Sequence, residues 1–254
     1  MKFLMDTHMH FDLYRKRREV LDICEQSKCY TIAVTNLPEL FSKYLKELSW
    51  SSYRYVRLAL GFHPQLVAKY NSQLPIFINE LCHVKYVGEI GLDYTCPLSE
   101  RITQREIFEK IIAECNIAGD KILSIHSRRA ETDVLSVINN SSCNAILHWY
   151  SGSVSNIQKA IDNDFFFSIN HQMTNSEHGR KIISNIPIKN ILIESDAPFT
   201  VTLEQEYSLN FQRPIYAFLS SLHHISEDEV ASILKLNFLR LLSRQNNSMS
   251  PQVT

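Results

Sequence analysis

Residues 84–94 read VKYVGEIGLDY. A nearly unbroken apolar run that ends in Glu89 and Asp93 suits a strand buried on both faces and finishing on charged groups. Runs of the same kind recur at 2–8 (KFLMDTH), 30–35 (YTIAVT), 55–61 (YVRLALG), 121–126 (KILSIH), 144–149 (NAILHW), 165–169 (FFFSI) and 191–195 (ILIES). Segments with helical periodicity separate or follow them, at 15–27, 38–48, 72–82, 100–118, 130–139, 154–163, 176–185, 211–222 and 227–243. Strand and helix alternating about every 27 residues implies βαβ units and a parallel sheet. Eight such units in 254 residues predict an α/β fold of the (β/α)8 TIM-barrel type, in a single domain. A doubly wound open sheet is the competing architecture, but no glycine-rich turn follows the first run.

The composition agrees with one large core. Of 254 residues 44% are hydrophobic and 21% charged, with only six Gly and eight Pro, which excludes disorder and any long linker. The barrel is expected to span 1–245, with 246–254 (NNSMSPQVT) as a flexible tail. With 26 Lys+Arg against 27 Asp+Glu there is no global basic field, so a nucleic-acid partner needs a local patch. No stretch approaches the roughly 18 consecutive apolar residues of a membrane span. The opening MKFLMDTHMH breaks its apolar run too early for a signal peptide, so a cytoplasmic location is expected. The six scattered cysteines, without a CxxC pair, are expected to be buried free thiols.

The carboxyl ends of six of the eight runs carry ionisable groups: Asp6, His8 and His10; His63; Glu89 and Asp93; His126 and Arg128; His148; Glu194 and Asp196. In a barrel these ends converge on one face, where such enzymes carry their chemistry. Residues two apart on a strand share a face, so His8 and His10 are placed to reach one metal ion. Four His with two carboxylates suffice for two divalent ions if one carboxylate bridges, and burying so many ionisable groups is costly without a compensating cation. The alternative is a hydrogen-bonded polar barrel mouth that holds no metal. Ser195 beside Asp196 does not make a hydrolase triad, because the Gly-x-Ser-x-Gly elbow is absent.

The segments 3–10 (FLMDTHMH), 61–64 (GFHP), 87–94 (VGEIGLDY), 125–130 (IHSRRA), 147–153 (LHWYSGS) and 193–198 (IESDAP) together resemble the TatD family of metal-dependent deoxyribonucleases, within the amidohydrolase-like barrels. The resemblance implies that His8, His10 and Asp196 bind one metal and His126 and His148 a second, with Glu89 bridging, and that His63 and Arg128 lie near the scissile phosphate. It further implies a 3′→5′ exodeoxyribonuclease acting on single-stranded DNA or 3′ ends, in which a water activated between two cations attacks the phosphodiester. Glu89, Asp196 and His63 are then the catalytic candidates, Asp196 as proton acceptor. Mixed N/O ligation favours zinc or manganese, with magnesium also compatible. The sequence departs from the family pattern at 168–174 (SINHQMT), at Arg128-Arg129 in place of Arg-Asp, and at 199–210 (FTVTLEQEYSLN), while Asn237 resembles the family's final-helix asparagine. Such departures resemble a divergent branch found in antiphage defence clusters, which would add partner proteins in a defence complex.

Other readings follow from position. Arg15 and Arg17, in the basic run 15–18, are either a solvated helix face or a phosphate-positioning patch for DNA. Trp149, Tyr150 and Phe62 either stack a base or pack against the barrel. Asp6 is expected to hold His8 or His10 in one tautomer. Asp93 and Tyr94 are expected to shape the turn after the fourth strand rather than touch substrate. His171 is either a surface-loop residue or substrate-facing, and His83, His178, His223 and His224 are structural or surface residues. The competing functions are a metallohydrolase of another ester or amide, such as aminoacyl-tRNA or a small molecule, and a catalytic subunit of a multi-protein assembly.

Overall fold

A computed structural model describes residues 3–243 of the chain. The expected tail at 246–254 lies outside the described residues. Eight parallel strands form where the apolar runs predict them: β1 (Met5–Met9), β2 (Tyr30–Ala33), β3 (Val56–Leu58), β4 (Tyr86–Gly91), β5 (Ile122–His126), β6 (Asn144–His148), β7 (Phe166–Ile169) and β8 (Ile191–Ile193). Every residue of β1, β6, β7 and β8 is buried. Burial on both faces is why these runs are continuously apolar rather than alternating.

The strands pair in the orders β1-β2-β3 and β4-β5-β6-β7-β8. Two seams close them into one barrel. At the first, the N–H of Leu60 donates to Tyr86 O (3.0 Å), that of Gly88 to Leu60 O (2.9 Å) and that of Phe62 to Glu89 O (2.9 Å). At the second, Asp196 N–H donates to His8 O (3.0 Å) and His10 N–H to Ala197 O (2.9 Å). The first seam runs along β4 from Tyr86 up to Glu89 and the second joins the carboxyl ends of β1 and β8, so closing the barrel also brings the ionisable residues together. The open doubly wound sheet is thereby excluded.

The helices are α1 (Arg17–Gln26), α2 (Pro38–Glu47), α3 (Pro64–Tyr70), α4 (Leu74–Leu81), α5 (Leu98–Ala118), α6 (Glu131–Ile138), α7 (Val154–Asp162), α8 (His171–Asn175), α9 (Glu177–Ser184), α10 (Gln212–His223) and α11 (Glu227–Ser243). Helix α5 shows how they face the sheet: Gln104, Ile107, Phe108, Ile111, Ile112 and Cys115 are buried at helical spacing. It stops at Gly119, whose φ of +65° an L side chain adopts only with strain. On α11, the buried Asn237 side chain donates to Ile188 O (2.7 Å) and Ile191 O (2.8 Å), fastening the last helix to the start of β8. Among the described residues no helix is long and apolar enough to cross a membrane.

Two helices were not expected. α3 starts on Pro64, and its first turn is capped by His63, whose Nδ1 accepts from Gln65 N–H at 3.2 Å. α8 has five residues and is capped by the Asn170 side chain, which accepts from Met173 N–H. All six cysteines are free; Cys24, Cys29, Cys115 and Cys143 are buried as expected, but Cys82 is exposed and Cys96 partly so. Cys82 caps the end of α4 and Cys96 lies in the loop after β4, both outside the barrel core.

Gly61 marks the tightest approach near the first seam. A Cβ there would lie 1.6 Å from Thr35 O and 2.7 Å from Gly88 O, both backbone atoms that have no room to move aside. Gly61→Ala is therefore expected to cost about 3 kcal/mol or more and to lower Tm by about 6–12 °C. Gly119→Ala, where a Cβ meets nothing within 4 Å, is expected to cost only the backbone strain, about 1–2 kcal/mol. Equal Tm losses in thermal unfolding would contradict the packing argument.

Candidate metal centre

The strand ends place Glu89 at the middle of a cluster of imidazoles. Its Oε1 lies 2.6 Å from His126 Nδ1 and 2.8 Å from His148 Nε2. Its Oε2 lies 3.2 Å from His10 Nε2, 3.4 Å from His63 Nε2 and 3.6 Å from His8 Nε2. The two oxygens thus serve opposite sides of the cluster. His8 and His10 converge as the strand spacing predicts, with their Nε2 atoms 3.2 Å apart, and Asp196 Oδ1 lies 3.6 and 3.5 Å from them.

Three groups of side chains bring ligand atoms within 4.8 Å of one another: His8, His10 and Asp196; His63, Glu89 and His126; and His8, His148 and Glu194. Two carboxylate oxygens among them, Glu89 Oε2 and Asp196 Oδ1, are buried without a hydrogen-bond partner. A buried, unpartnered carboxylate oxygen facing imidazole nitrogens costs several kcal/mol unless a cation or a proton meets it. The donor set, imidazole nitrogen and carboxylate oxygen, fits a divalent metal.

Charge balance shows the same demand. Although burial opposes ionisation, His63, His148 and His126 hold the Glu89 carboxyl well below the usual range. Burial also opposes protonation of His10, yet Asp196 and Glu89 push its pKa up to about 10. His126 and His148 are raised by Glu89 against the same burial. Burial, with His148 nearby, takes His8 down to about 3, and burial takes His63 down to about 4. In the absence of a cation, then, protons on some imidazoles must neutralise the carboxylates.

Second partners fix the rings. His8 Nδ1 lies 2.7 Å from Ser124 Oγ on β5, so a neutral His8 that donates there presents a bare Nε2 to the cluster. His126 Nε2 lies 2.9 Å from Asp93 Oδ2, leaving its Nδ1 toward Glu89. Asp93 thus reaches toward the site through His126 and through Gln65, whose Nε2 donates to it at 2.8 Å, a contact with the cluster beyond its expected part in the turn. Its Oδ1 does shape that turn, accepting from Thr95 N–H at 2.9 Å. Tyr94 behaves as expected, its hydroxyl donating to Asp133 at 2.6 Å.

Glu194, given no role from sequence, is fully buried behind His148, 3.8 Å from its Nδ1. It accepts from Ser168 Oγ, from Asn170 Nδ2 at 3.3 Å and from Trp149 N–H at 2.9 Å. The unusual 168–174 stretch, at the end of β7, therefore props Glu194, which directly follows β8. Trp149 and Asp196 hold positive φ, +37° and +47°. Strain of that kind gathers where side chains must be aimed.

Asp6 does not hold an imidazole. Its Oδ1 accepts from Ser195 N–H (2.8 Å) and its Oδ2 from the Tyr207 hydroxyl (2.7 Å), so it braces β8 and the following loop instead. His171 is neither a surface nor a cavity residue: it is buried in α8, with its Nε2 2.8 Å from Val201 O. Tyr150 and Phe62 are buried at about 1% exposure, which leaves only Trp149 of the three aromatics in the cavity.

The cluster floors a cavity of about 490 Å³ whose wall also includes His63, Arg128, Trp149 and Phe199. Arg15 and Arg17 do not line it. They border a separate hollow with Lys16, Arg18, Tyr44 and Glu47, where Arg17 donates to Asp12 O (2.9 Å) and stacks 5.6 Å over the Tyr44 ring. The reason is register: the run lies beyond the turn at Phe11–Leu13, which carries it out toward α2.

The TatD related DNase family model matches residues 5–243. The chain belongs to this family. A relative of similar length, the uncharacterized metal-dependent hydrolase YabD of Bacillus subtilis, is 25% identical across 94% of this chain and 98% of its own. Human deoxyribonuclease TATDN3 is 23% identical across 95% of each chain. In fold, the chain matches the TatD homologue YJJV of Escherichia coli K12 with TM-score 0.79 at 23% identity, covering 94% of this chain and 97% of that one. A TatD family hydrolase from Entamoeba histolytica gives TM-score 0.76 at 17% identity, over 94% and 98%.

Asp6 yields a test of the brace. Burial lifts its pKa to about 7, against opposing hydrogen bonds from Ser195, Tyr207 and His8. A carboxyl raised above its unfolded value of about 3.9 contributes stability that is full below that pH and is lost as pH climbs to about 7. Urea denaturation of wild type and Asp6→Asn at pH 5 and pH 8 should therefore show the stability difference moving in favour of the variant at pH 8. A pH-independent difference would show that the Asp6 carboxyl does not titrate on folding.

Proposed function

We propose that the protein is a metal-dependent deoxyribonuclease that shortens single-stranded DNA from its 3′ end, with two divalent cations held on the two sides of Glu89. The observation that carries this reading is the division of Glu89, Oε2 toward His8 and His10 and Oε1 toward His126 and His148. Asp196 would complete the first ligand set, where its Oδ1 stands buried and unpartnered. When bound, such cations supply Lewis-acid stabilisation of phosphoryl oxygens and a lowered pKa for water, as zinc, manganese or magnesium all do.

The chain's own groups supply the rest. Asp196, next to the cluster, is placed to orient the attacking water and take its proton. His63 is neutral at pH 7, and its Nδ1 accepts the Gln65 N–H, so its proton sits on Nε2 and faces the cluster. That N–H, rather than an imidazolium, is the donor available to a phosphoryl oxygen. Arg128 is exposed on the cavity wall and offers a forked donor to a neighbouring phosphate. A cavity of about 490 Å³ is scaled to a strand end rather than to a length of duplex, which supports trimming over internal cutting. The separate basic hollow at Arg15–Arg18 contributes, on this reading, only at a distance from the reacting phosphate.

Incubation of a 5′-labelled single-stranded oligonucleotide with Mn²⁺, Mg²⁺ or Zn²⁺ should give a ladder that shortens one nucleotide at a time, and chelator should abolish it. Glu89→Gln should keep its circular dichroism spectrum while losing on the order of 10³-fold or more in rate. Undiminished turnover by Glu89→Gln, or turnover in chelator, would contradict the proposal; random internal fragments would contradict the 3′ direction. A cation held by His10 would have to displace its proton, so apparent metal affinity should rise between pH 6 and pH 9. Titration calorimetry showing pH-independent affinity would contradict that displacement.

A further inference from the structure

We infer that Phe199 and Trp149 form a stacking subsite for the terminal nucleobase of the bound strand. The inference rests on the nuclease reading and extends it to what holds the end of the substrate. Among the described residues that line the cavity, these two alone are apolar; the remainder are imidazoles, carboxylates, hydroxyls, an amide and one guanidinium. A ligand for this cavity must therefore present an anion to the floor and a flat, uncharged face to the wall. A nucleotide carries both on one rigid sugar.

Both rings are anchored beside the cluster, at different corners of it. Phe199 N–H donates to Asp196 O at 2.8 Å, and its ring meets the His10 ring edge-on, centroids 5.2 Å apart and planes at 85°. The ring is nevertheless 58% exposed, an apolar surface left in water at the mouth of a polar cavity. Trp149 follows His148 directly, and the Glu194 carboxylate holds its backbone N–H at 2.9 Å with φ at +37°. One aromatic thus stands by the His10 and Asp196 corner and the other by the His148 corner. A phosphate drawn to the floor leaves its base at the level of these rings, where stacking covers the exposed face. Because every base has a π-face, this contact favours the presence of a base without reading its identity. The loop 199–208 is tied down around Phe199: Val201 N–H donates to the Gln172 side chain at 3.0 Å, and Tyr207 to Asp6 at 2.7 Å. The ring is thereby held as a wall and does not need to be recruited from a disordered loop.

The test compares 5′-dAMP with 2-deoxyribose 5-phosphate, which lacks only the base, by titration calorimetry in Mn²⁺ and again in chelator. Wild type should bind dAMP roughly 5- to 100-fold more tightly. Phe199→Ala, a change at an exposed position, should bring the two ligands to near parity by weakening dAMP alone, and Phe199→Trp should restore the preference. A Phe199→Ala protein that keeps the preference would overturn the subsite. So would a wild type that shows none, including one that binds neither ligand. Shortening of DNA by a wild type without the preference overturns the subsite and leaves the nuclease reading; the preference without any shortening does the reverse.

Discussion

The structure turns on one buried carboxylate. Glu89 is about 1% exposed and has five imidazoles within 3.6 Å of its oxygens. Burying an ionised carboxyl is costly unless each oxygen is met by charge or by donors. In this barrel imidazoles face both oxygens, from strand ends that are remote in sequence: β1, β5 and β6, together with the turn that follows β3; Oε1 is hydrogen-bonded and Oε2 is left for a cation or a proton. No pair of these elements could hold the cluster alone. The two seams that close the barrel are made within a few residues of the cluster, so the same backbone pairings that close the fold position the site.

Around that core lies a set of groups whose work is aim. Ser124 turns His8, Asp93 turns His126, and Glu194, itself held by Ser168 and Asn170, backs His148. Asp6 fixes the backbone at Ser195, one residue before Asp196, and ties the loop that carries Tyr207. Gly61 lets the backbone that leads to His63 pass against Thr35 and Gly88.

Much of this was legible in the sequence. The eight strands show as apolar runs because they are buried, and the inner His and carboxylates show because six of the eight runs break into an ionisable residue at the carboxyl end. The i, i+2 spacing of His8 and His10 directly implied their convergence. The aiming groups were not legible, because Ser124, Asp93 and Glu194 act through His8, His126 and His148, all remote from them in sequence and with ring orientations that only the tertiary fold sets. Asp6 was misread for the same reason: its nearest donors are Ser195 and Tyr207, not the adjacent imidazoles. α3 and α8 escaped because seven and five residues are too few to show a helical period. The clue for α3 was Pro64 following a residue able to cap. Arg15 and Arg17 drew attention as a dense basic run, but charge density does not fix direction, and the turn at Phe11–Leu13 leads them into a hollow of their own.

The account stands on the two-sided loading of Glu89. Crystals of the protein soaked in Mn²⁺, with anomalous diffraction collected at the manganese edge, test it most directly. The expected map has two peaks about 3.5–4 Å apart, one contacted by His8, His10 and Asp196, the other by His126 and His148, with one oxygen of Glu89 on each. No peak in the cluster, or a single peak that leaves Glu89 uncoordinated, would contradict the account.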